Sequence, residues 1–507
     1  MKPYHYTIDQ LYRDWRYAVE KDFVTADGKP FPYALGGHLQ WGNEDRKLSL
    51  SGKPRDACLS GDGKRAAIVV DRRIQVIDTE TWETIIILKG HTRPVDGLAF
   101  KPNDSNILVS SEGTDADLIS RDAEPTIIVW DIDQAKKAPR LEESDLHGIS
   151  KDVTAVAASK LEGLGLKLKA SGQAELETAL ASEIDRVMAK QGISDNTRIC
   201  GRLHIGHQPE IFNPSGTQMV YSPGYAPESD DTFSWDVVIC SMDDFMPVLT
   251  LKGHTDDIKW SGWSPDETFL ATVSFDKTIR IWDAVLGHQV HCFERDHYNW
   301  AGAFSLDSQH FVATDGQGII RVYALHAEET LHWEFQAEGP KMWRPSVAWH
   351  PNGKLVAIGG KRDAEILLLD IAKKEVVQRR LLSGRDSKID GEAHPMIPGR
   401  FVGVNEIKFV DGGNKLVVWV SGDGSIEVFD LSKEVKWRFA RGGTEDGPEA
   451  EKWIDENGKV TSEAGSGMLV LEREGKLTLA SVDFDGVRLW SVPLTDRRLG
   501  ALSKGMA

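Results

Sequence analysis

The chain has 507 residues, 40% of them hydrophobic and 27% charged, a balance that suits a folded globular protein and excludes a fibrous or fully disordered one. Its 60 Lys and Arg against 78 Asp and Glu give a formal charge of −18, which disfavours direct nucleic-acid binding, since a phosphate backbone demands clustered cations. No apolar run approaches the ~18 residues needed to span a bilayer. Four cysteines, Cys58, Cys200, Cys240 and Cys292, lie too far apart for an extracellular disulfide framework and read as reduced core residues. The start, Met1-Lys2-Pro3-Tyr4, lacks the apolar core of a signal peptide, so a cytoplasmic or nuclear chain is expected.

Residues 1–45 form a first segment. Ile8, Leu11, Tyr12, Trp15 and Val19 fall at helical spacing and predict an amphipathic helix from about Thr7 to Lys21, which packs on its own protein or docks a partner. From residue 46 the chain becomes repetitive. One unit reads Leu251-Lys-Gly-His254, Trp263-Ser-Pro-Asp266, Phe269-Leu-Ala-Thr272, Asp276-Lys-Thr and Ile279-Arg-Ile-Trp282-Asp283. Another starts at Gly90-His91 and ends at Trp130-Asp131. Fainter copies emerge when the large apolar residue before each tight turn serves as anchor: Leu59, Phe100, Phe212, Trp263, Phe304, Trp349, Phe409 and Leu471. Their spacings of 41, 112, 51, 41, 45, 60 and 62 residues are each one period, or one period plus an insertion.

Each unit reads as short strands separated by turns, as in Ser346–Trp349, Leu355–Ile358 and Glu365–Asp370. The 112-residue gap carries the main insertion, 133–197, where a helix from Ser150 to about Leu161 and another from about Ala174 to Lys190 predict a helical hairpin between the third and fourth strands of the second unit. Leu176, Leu180, Ile184, Val187 and Met188 form its apolar stripe. Further excursions lie at Arg385–Arg400 and Gly442–Gly467. The last unit lacks a fourth strand, and Lys47-Leu-Ser-Leu50 at the other end of the chain can supply it; residues 493–507 follow as a tail.

The Gly-His start, Trp-Asp end and ~40–45-residue period resemble the WD40 repeat. The resemblance implies an all-β WD40-type β-propeller over residues 46–492, with eight blades expected from eight anchors and seven as the alternative. It also implies a buried hydrogen-bonded set in each blade: His254, Thr272, Asp276 and Trp282 in the fourth, His91, Ser110 and Trp130 in the second, and Ser481, Asp485 and Trp490 in the eighth. These groups are structural, so His254, Asp276 and Thr272 are not read as a catalytic triad.

The pairs His204/His207 and His288/His291 sit in strand-and-turn contexts without further ligands, so no metal is expected, and no cofactor motif is present. Propellers of this family mostly bind peptides or proteins on the narrower face. Positions three or four residues before each anchor meet that face: Arg55, Asp56, Asp96, Lys259, Trp260, Trp300, Ser346, Asn405 and Glu406. Trp260 and Trp300, from adjacent blades, could form a hot spot or pack between blades. The expected function is a non-catalytic protein–protein interaction scaffold, a subunit of a larger assembly, with the helical insertion as a second contact surface. The alternatives are an enzyme with its site at the channel mouth and a reader of modified peptides.

Overall fold

A computed structural model describes residues 23–34, 40–41, 44–50, 52, 54–113, 126–137, 151, 153–156, 158–159, 180, 198–203, 210–225, 233–327, 330–336, 343–360, 365–382, 403–420, 425–440, 467–473, 475–483 and 486–493. Among these residues the strands build eight radially ordered sheets, the blades of a propeller. Blade 1 runs Pro54–Leu59, Arg65–Val70, Arg73–Asp78 and Thr84–Lys89 from the innermost strand outward, each strand antiparallel to the last. Blades 2, 4, 5, 6 and 7 repeat this meander from Val95, Ile258, Asn299, Ser346 and Val404. Blade 3 has three strands, Gln218–Tyr221, Val237–Ser241 and Pro247–Leu251, and its inner edge narrows to a bridge between Phe212 and Met219.

The anchor pattern sets the register. Leu59, Phe100, Phe212, Trp263, Phe304, Trp349 and Phe409 stand opposite Ala66, Leu108, Met219, Leu270, Phe311, Val356 and Leu416 on the second strand. Those residues in turn face Ile77, Trp130, Cys240, Trp282, Tyr323, Leu369 and Phe429 on the third. In blade 8 the equivalent of the anchor is Val470, opposite Leu479 and then Trp490, so the expected Leu471 is one residue out of register. In a strand that slip turns the side chain to the other face.

A blade is apolar on both faces, so each face needs a neighbour. The buried apolar side chains accordingly fall into eight clusters, one between each pair of adjacent blades. The cluster between blades 8 and 1 joins Leu469, Ala480 and Leu489 to Ala66, Ile68 and Ile77, and Leu48 completes it. Leu48 belongs to Arg46–Leu48, which pairs antiparallel with Gly486–Pro493 as the outer strand of blade 8. The ring therefore closes by a strand from the beginning of the chain.

The segment before it follows the outer rim. Phe23–Thr25 adds a fifth strand to blade 6, and Gln40–Trp41 pairs in parallel with Val435–Ala440 of blade 7. Phe23 is fully buried and meets Phe429 edge-on at 5.7 Å between centroids; Phe31 does so at 5.6 Å. The Arg380 guanidinium lies 4.7 Å from the Phe429 ring centroid. Strands Phe23–Thr25 and Gln40–Trp41, expected to precede the ring, thus cover the edges of two blades. The helix expected at Thr7–Lys21 lies outside the described residues.

The third strand of blade 2 ends at Asp131 and its fourth begins at Arg198. Between these strands the described helical residues are Ile132–Lys137, Lys151, 153–156, 158–159 and 180; the rest of the expected second helix, and the excursions at Arg385–Arg400 and 442–466, lie outside the described residues.

Polar networks differ between blades. In blade 4, His254 Nδ1 meets Asp276 at 2.6 Å, Nε2 meets the Thr272 hydroxyl at 2.7 Å, and Trp282 Nε1 donates to that hydroxyl at 2.9 Å. Blade 2 has the same arrangement at His91, Ser110 and Trp130, with Glu112 taking the carboxylate's place 3.5 Å from His91 Nδ1. Blade 8 corrects the expectation. Ser481 donates to Asp483 at 2.8 Å, Arg488 pairs with Asp483 at 2.9 Å, and the Trp490 indole nitrogen has no partner among the described residues. Asp485 lies outside the described residues. Blades 5 and 7 likewise bury ion pairs, Asp315–Arg321 at 2.9 Å and Glu427–Lys436 at 2.9 Å.

Burial pushes the Glu112 carboxyl up, but the His91 ring beside it and the hydrogen bonds from the Thr92 N–H and hydroxyl outweigh this and hold it at about 2. Burial holds both His91 and His254 below the ordinary 6.5. A depressed carboxyl contributes stability above its unfolded value, which is lost as pH falls through the folded one, and a depressed imidazole must be protonated at a cost. Thermal stability is therefore expected to decline below pH 6.5 and steeply from 4.5 towards 2, with Glu112→Gln flattening the lower limb; a wild-type melting temperature unchanged down to pH 3 contradicts this. Thr272→Val leaves His254 and Trp282 without their shared hydroxyl and should cost about 2–4 kcal/mol, whereas Thr272→Ser should cost far less, as read by denaturant unfolding. Phe23→Ala should cost about 3–5 kcal/mol in the same assay if the rim segment is integral to the ring.

Candidate interaction surface at the channel mouth

The innermost strands all start on one face of the disc, here called the mouth, beside the turns linking each second and third strand. Five of them share an irregularity. The pairing slips between Pro54 and Asp56, Val95 and Gly97, Ile258 and Trp260, Asn299 and Ala301, and Val404 and Glu406. Each slip is a β-bulge that takes one residue out of the ladder and re-aims its side chain. The residues so released are Arg55, Asp96, Lys259, Trp300 and Asn405, each four positions before its anchor.

The nine residues expected at this face separate accordingly. Arg55 is exposed, and Asp56, Asp96, Lys259, Trp300 and Glu406 are partly accessible. Trp260, Ser346 and Asn405 are buried. Trp260, one residue past its bulge, belongs to the apolar layer between blades 4 and 5 and lies 5.7 Å from the Phe311 ring, so the expected Trp260–Trp300 surface pair does not form. The Ser346 hydroxyl donates to Val404 O at 3.2 Å, tying blade 6 to blade 7.

Trp300 has other aromatic company. Trp343, in the connection between blades 5 and 6 and 47% exposed, stacks on it at 4.6 Å with planes 26° apart. Phe275, in the turn after the second strand of blade 4, meets Trp300 edge-on at 5.0 Å and Tyr298 at 5.3 Å; Tyr298 is 54% exposed. Lys259 Nζ sits 4.4 Å from the Phe275 ring centroid and pairs with Asp257. Gly316 makes this compact: its N–H donates to Tyr298 O at 2.7 Å, and a Cβ there would lie 3.4 Å from the Trp300 indole nitrogen. Phe275, Tyr298 and Trp343 carry no repeat signature. The one available signal was their place as large aromatics in turns of this face.

The opposite half of the mouth is polar. Asp56 accepts from the Ala57 N–H at 2.8 Å, and Asp96 accepts from the Ser111 hydroxyl at 3.3 Å. Burial, with added repulsion from Glu406 and Asp96, pushes the Asp56 carboxyl up to about 7. Burial pushes Asp96 up to about 6 against the pull of Ser111, Arg202 and Arg55. Glu406 is paired with Lys408 at 2.8 Å. Cys58, two residues beyond Asp56, is held well above the ordinary thiol range by burial and by Asp56, so it remains a neutral thiol. Glu210, which sequence reading missed, sits beside Gly262 and Trp260, close enough that a Cβ at Gly262 would lie 2.9 Å from its carboxylate. No group of three or more His, Cys, Asp or Glu is placed to hold a metal ion among the described residues.

The family model "WD domain, G-beta repeat" (WD40) matches residues 82–131 and 245–283. Each match starts around the outer strand of one blade and ends on the third strand of the next, the same stagger that closes the ring. The chain is similar to a ribosome biogenesis protein WDR12 homolog of Ixodes scapularis, 26% identical over 144 residues, which is 28% of this chain and 33% of that one. It is also similar to WD repeat-containing protein 44 of Xenopus laevis, 26% identical over 188 residues, 37% of this chain and 19% of that one. The matched stretches thus cover a third or less of these relatives. Among solved structures, the C-terminal WD40 domain of Sif2 aligns at a TM-score of 0.47 and 14% identity, covering 74% of this chain and 81% of that domain. Two repeats match the WD40 family model, and the same register carries through a closed ring of eight blades: the fold is a WD40-type β-propeller.

Proposed function

We propose that this chain is a non-catalytic interaction scaffold that docks a partner segment across its mouth, with the aromatic half as the main contact. The observation that carries this reading is the Trp300–Trp343 stack, flanked by Tyr298 and Phe275 on a rigid, bulge-shaped surface. Large aromatics displayed on a rigid frame lose little entropy on binding and supply much of an interface's energy. The polar half offers carboxyls with raised affinity for protons, but the thiol beside them is not activated, which favours binding over nucleophilic chemistry. The WDR12 homolog named above belongs, by its name, to ribosome biogenesis, and assembly work of that kind suits a scaffold.

Trp300→Ala and Trp343→Ala should each weaken capture of the native partner about tenfold or more, as ~2 kcal/mol per lost indole implies, while leaving the circular dichroism spectrum and melting temperature near wild type. Trp260→Ala should instead lower the melting temperature, because its ring fills an inter-blade layer. Undiminished partner capture by the Trp300 and Trp343 variants contradicts the proposal.

A further inference from the structure

We infer that the outer edge of blade 3 is a self-association surface, where Pro247–Leu251 pairs antiparallel with the same strand of a second copy of this chain. This surface lies on the rim of the disc and goes beyond the docking reading of the mouth.

The outer strand of a blade has one side without a ladder, and the N–H and C=O groups on that side invite another strand. This molecule already uses such edges. Phe23–Thr25 extends blade 6, and Gln40–Trp41 extends blade 7. Elsewhere the outer strands carry charge, a common guard against pairing: Lys89 in blade 1, Arg198 in blade 2, Glu294 in blade 4, Glu334 in blade 5, and Arg46 and Lys47 in blade 8. Pro247-Val-Leu-Thr-Leu251 carries none, and among the described residues it pairs with Val237–Ser241 alone. Val248 is 49% exposed, and Thr250 is exposed too. Leu249 turns inward, into the layer between blades 3 and 4. Pro247 opens the strand, so its missing N–H leaves the amides of residues 248–251 in place.

The charges at the two ends of the strand select the occupant. Asp243 and Asp244 precede it, and both are exposed. The Met246 N–H donates to Asp244 Oδ1 at 3.1 Å, which holds that carboxylate at the strand's start. Lys252 follows the strand; its side chain is 73% exposed and meets Asp236 at 4.0 Å, the limit of an ion pair. An antiparallel copy centred on Leu249 sets each Lys252 opposite the other copy's Met246, beside the Asp244 carboxylate, at both ends of a two-fold pair. A parallel copy sets lysine beside lysine and aspartate beside aspartate, which is repulsive. A pairing of 5 residues a side falls short of the roughly 20–30 residues a side of a stable interface. The neighbouring turn of blade 4 adds apolar surface: Val285 and Leu286 are 75% and 68% exposed, and a Cβ at the adjoining Gly287 would lie 3.1 Å from the Leu249 side chain. The complex is a weak, reversible dimer.

Sedimentation velocity of the full chain over about 1–100 µM, the affinity range of a small interface, tests this. The wild type should pass reversibly from monomer to dimer and stop there, because a two-fold pairing uses up both edges. The amides of residues 248–251 should slow in hydrogen exchange as the dimer fills. Val248→Lys and Thr250→Lys should each hold the chain monomeric through that range, with melting temperatures near wild type, since both side chains are exposed. Each added lysine reduces the chain's charge of −18, so bulk charge alone would strengthen association. Lys252→Glu should weaken the dimer about fivefold, as two exposed ion pairs imply. Matched changes on blade 1, Thr84→Lys and Lys64→Glu, should leave the dimer unchanged. A monomer at every concentration, or a dimer that survives both Val248→Lys and Thr250→Lys, would overturn the proposal. Growth beyond the dimer would overturn the two-fold arrangement, and equal loss in the blade 1 variants would overturn the assignment to blade 3. Each of these results leaves partner capture at Trp300 and Trp343 to be judged separately.

Discussion

A sheet that is apolar on both faces has no stable end. Every blade of this protein needs a neighbour on each side, and the requirement is satisfied when the last blade meets the first. The apolar layer that joins Leu469, Ala480 and Leu489 to Ala66, Ile68 and Ile77 is therefore the layer on which the other seven depend. It is completed from the far end of the chain by Leu48. Placing strands from both ends of the sequence in one blade makes opening the ring equivalent to stripping an edge strand, and it leaves no long unpaired edge at the closure.

This constraint explains why the polar networks can vary. With packing secured by the inter-blade layers, a blade needs only to satisfy the polar groups it buries. Blades 2 and 4 pair imidazole, hydroxyl and indole; blades 5, 7 and 8 bury ion pairs instead. Buried ion pairs offset a large desolvation cost, so these substitutions maintain the fold without adding much stability. The rigid frame also pre-organises the mouth. Bulges at one position in five innermost strands turn one side chain per blade out of the ladder, giving an aromatic sector and a charged sector on the same rim.

The architecture was legible because the anchors repeat. A large apolar residue before a tight turn must face the neighbouring blade, and seven of the eight anchors occupy equivalent register positions. Leu471 misled because Val470 and Leu471 are adjacent apolar residues and pairing alone decides which faces inward. The site was less legible for a related reason. Lys259 and Trp260, and likewise Asn405 and Glu406, are neighbours, and the bulge determines which of each pair leaves the ladder. Spacing placed all four near the mouth but could not separate the buried indole of Trp260 from the accessible one of Trp300. Trp343, Tyr298 and Phe275 join Trp300 through turn geometry, which no period in the sequence encodes. In blade 8 the carboxylate that meets Ser481 is Asp483, which lies on the strand itself.

The account stands on closure of the ring by Arg46–Leu48 against Gly486–Pro493. Native-state hydrogen exchange read by mass spectrometry tests it directly. The amides of residues 46–48 and 487–489 should share one protection level, comparable to that of the second and third strands of blades 4 and 5, and should lose it together as denaturant rises. Exchange of residues 46–48 at the rate of free chain, while blades 4 and 5 stay protected, would show that the ring is not closed this way.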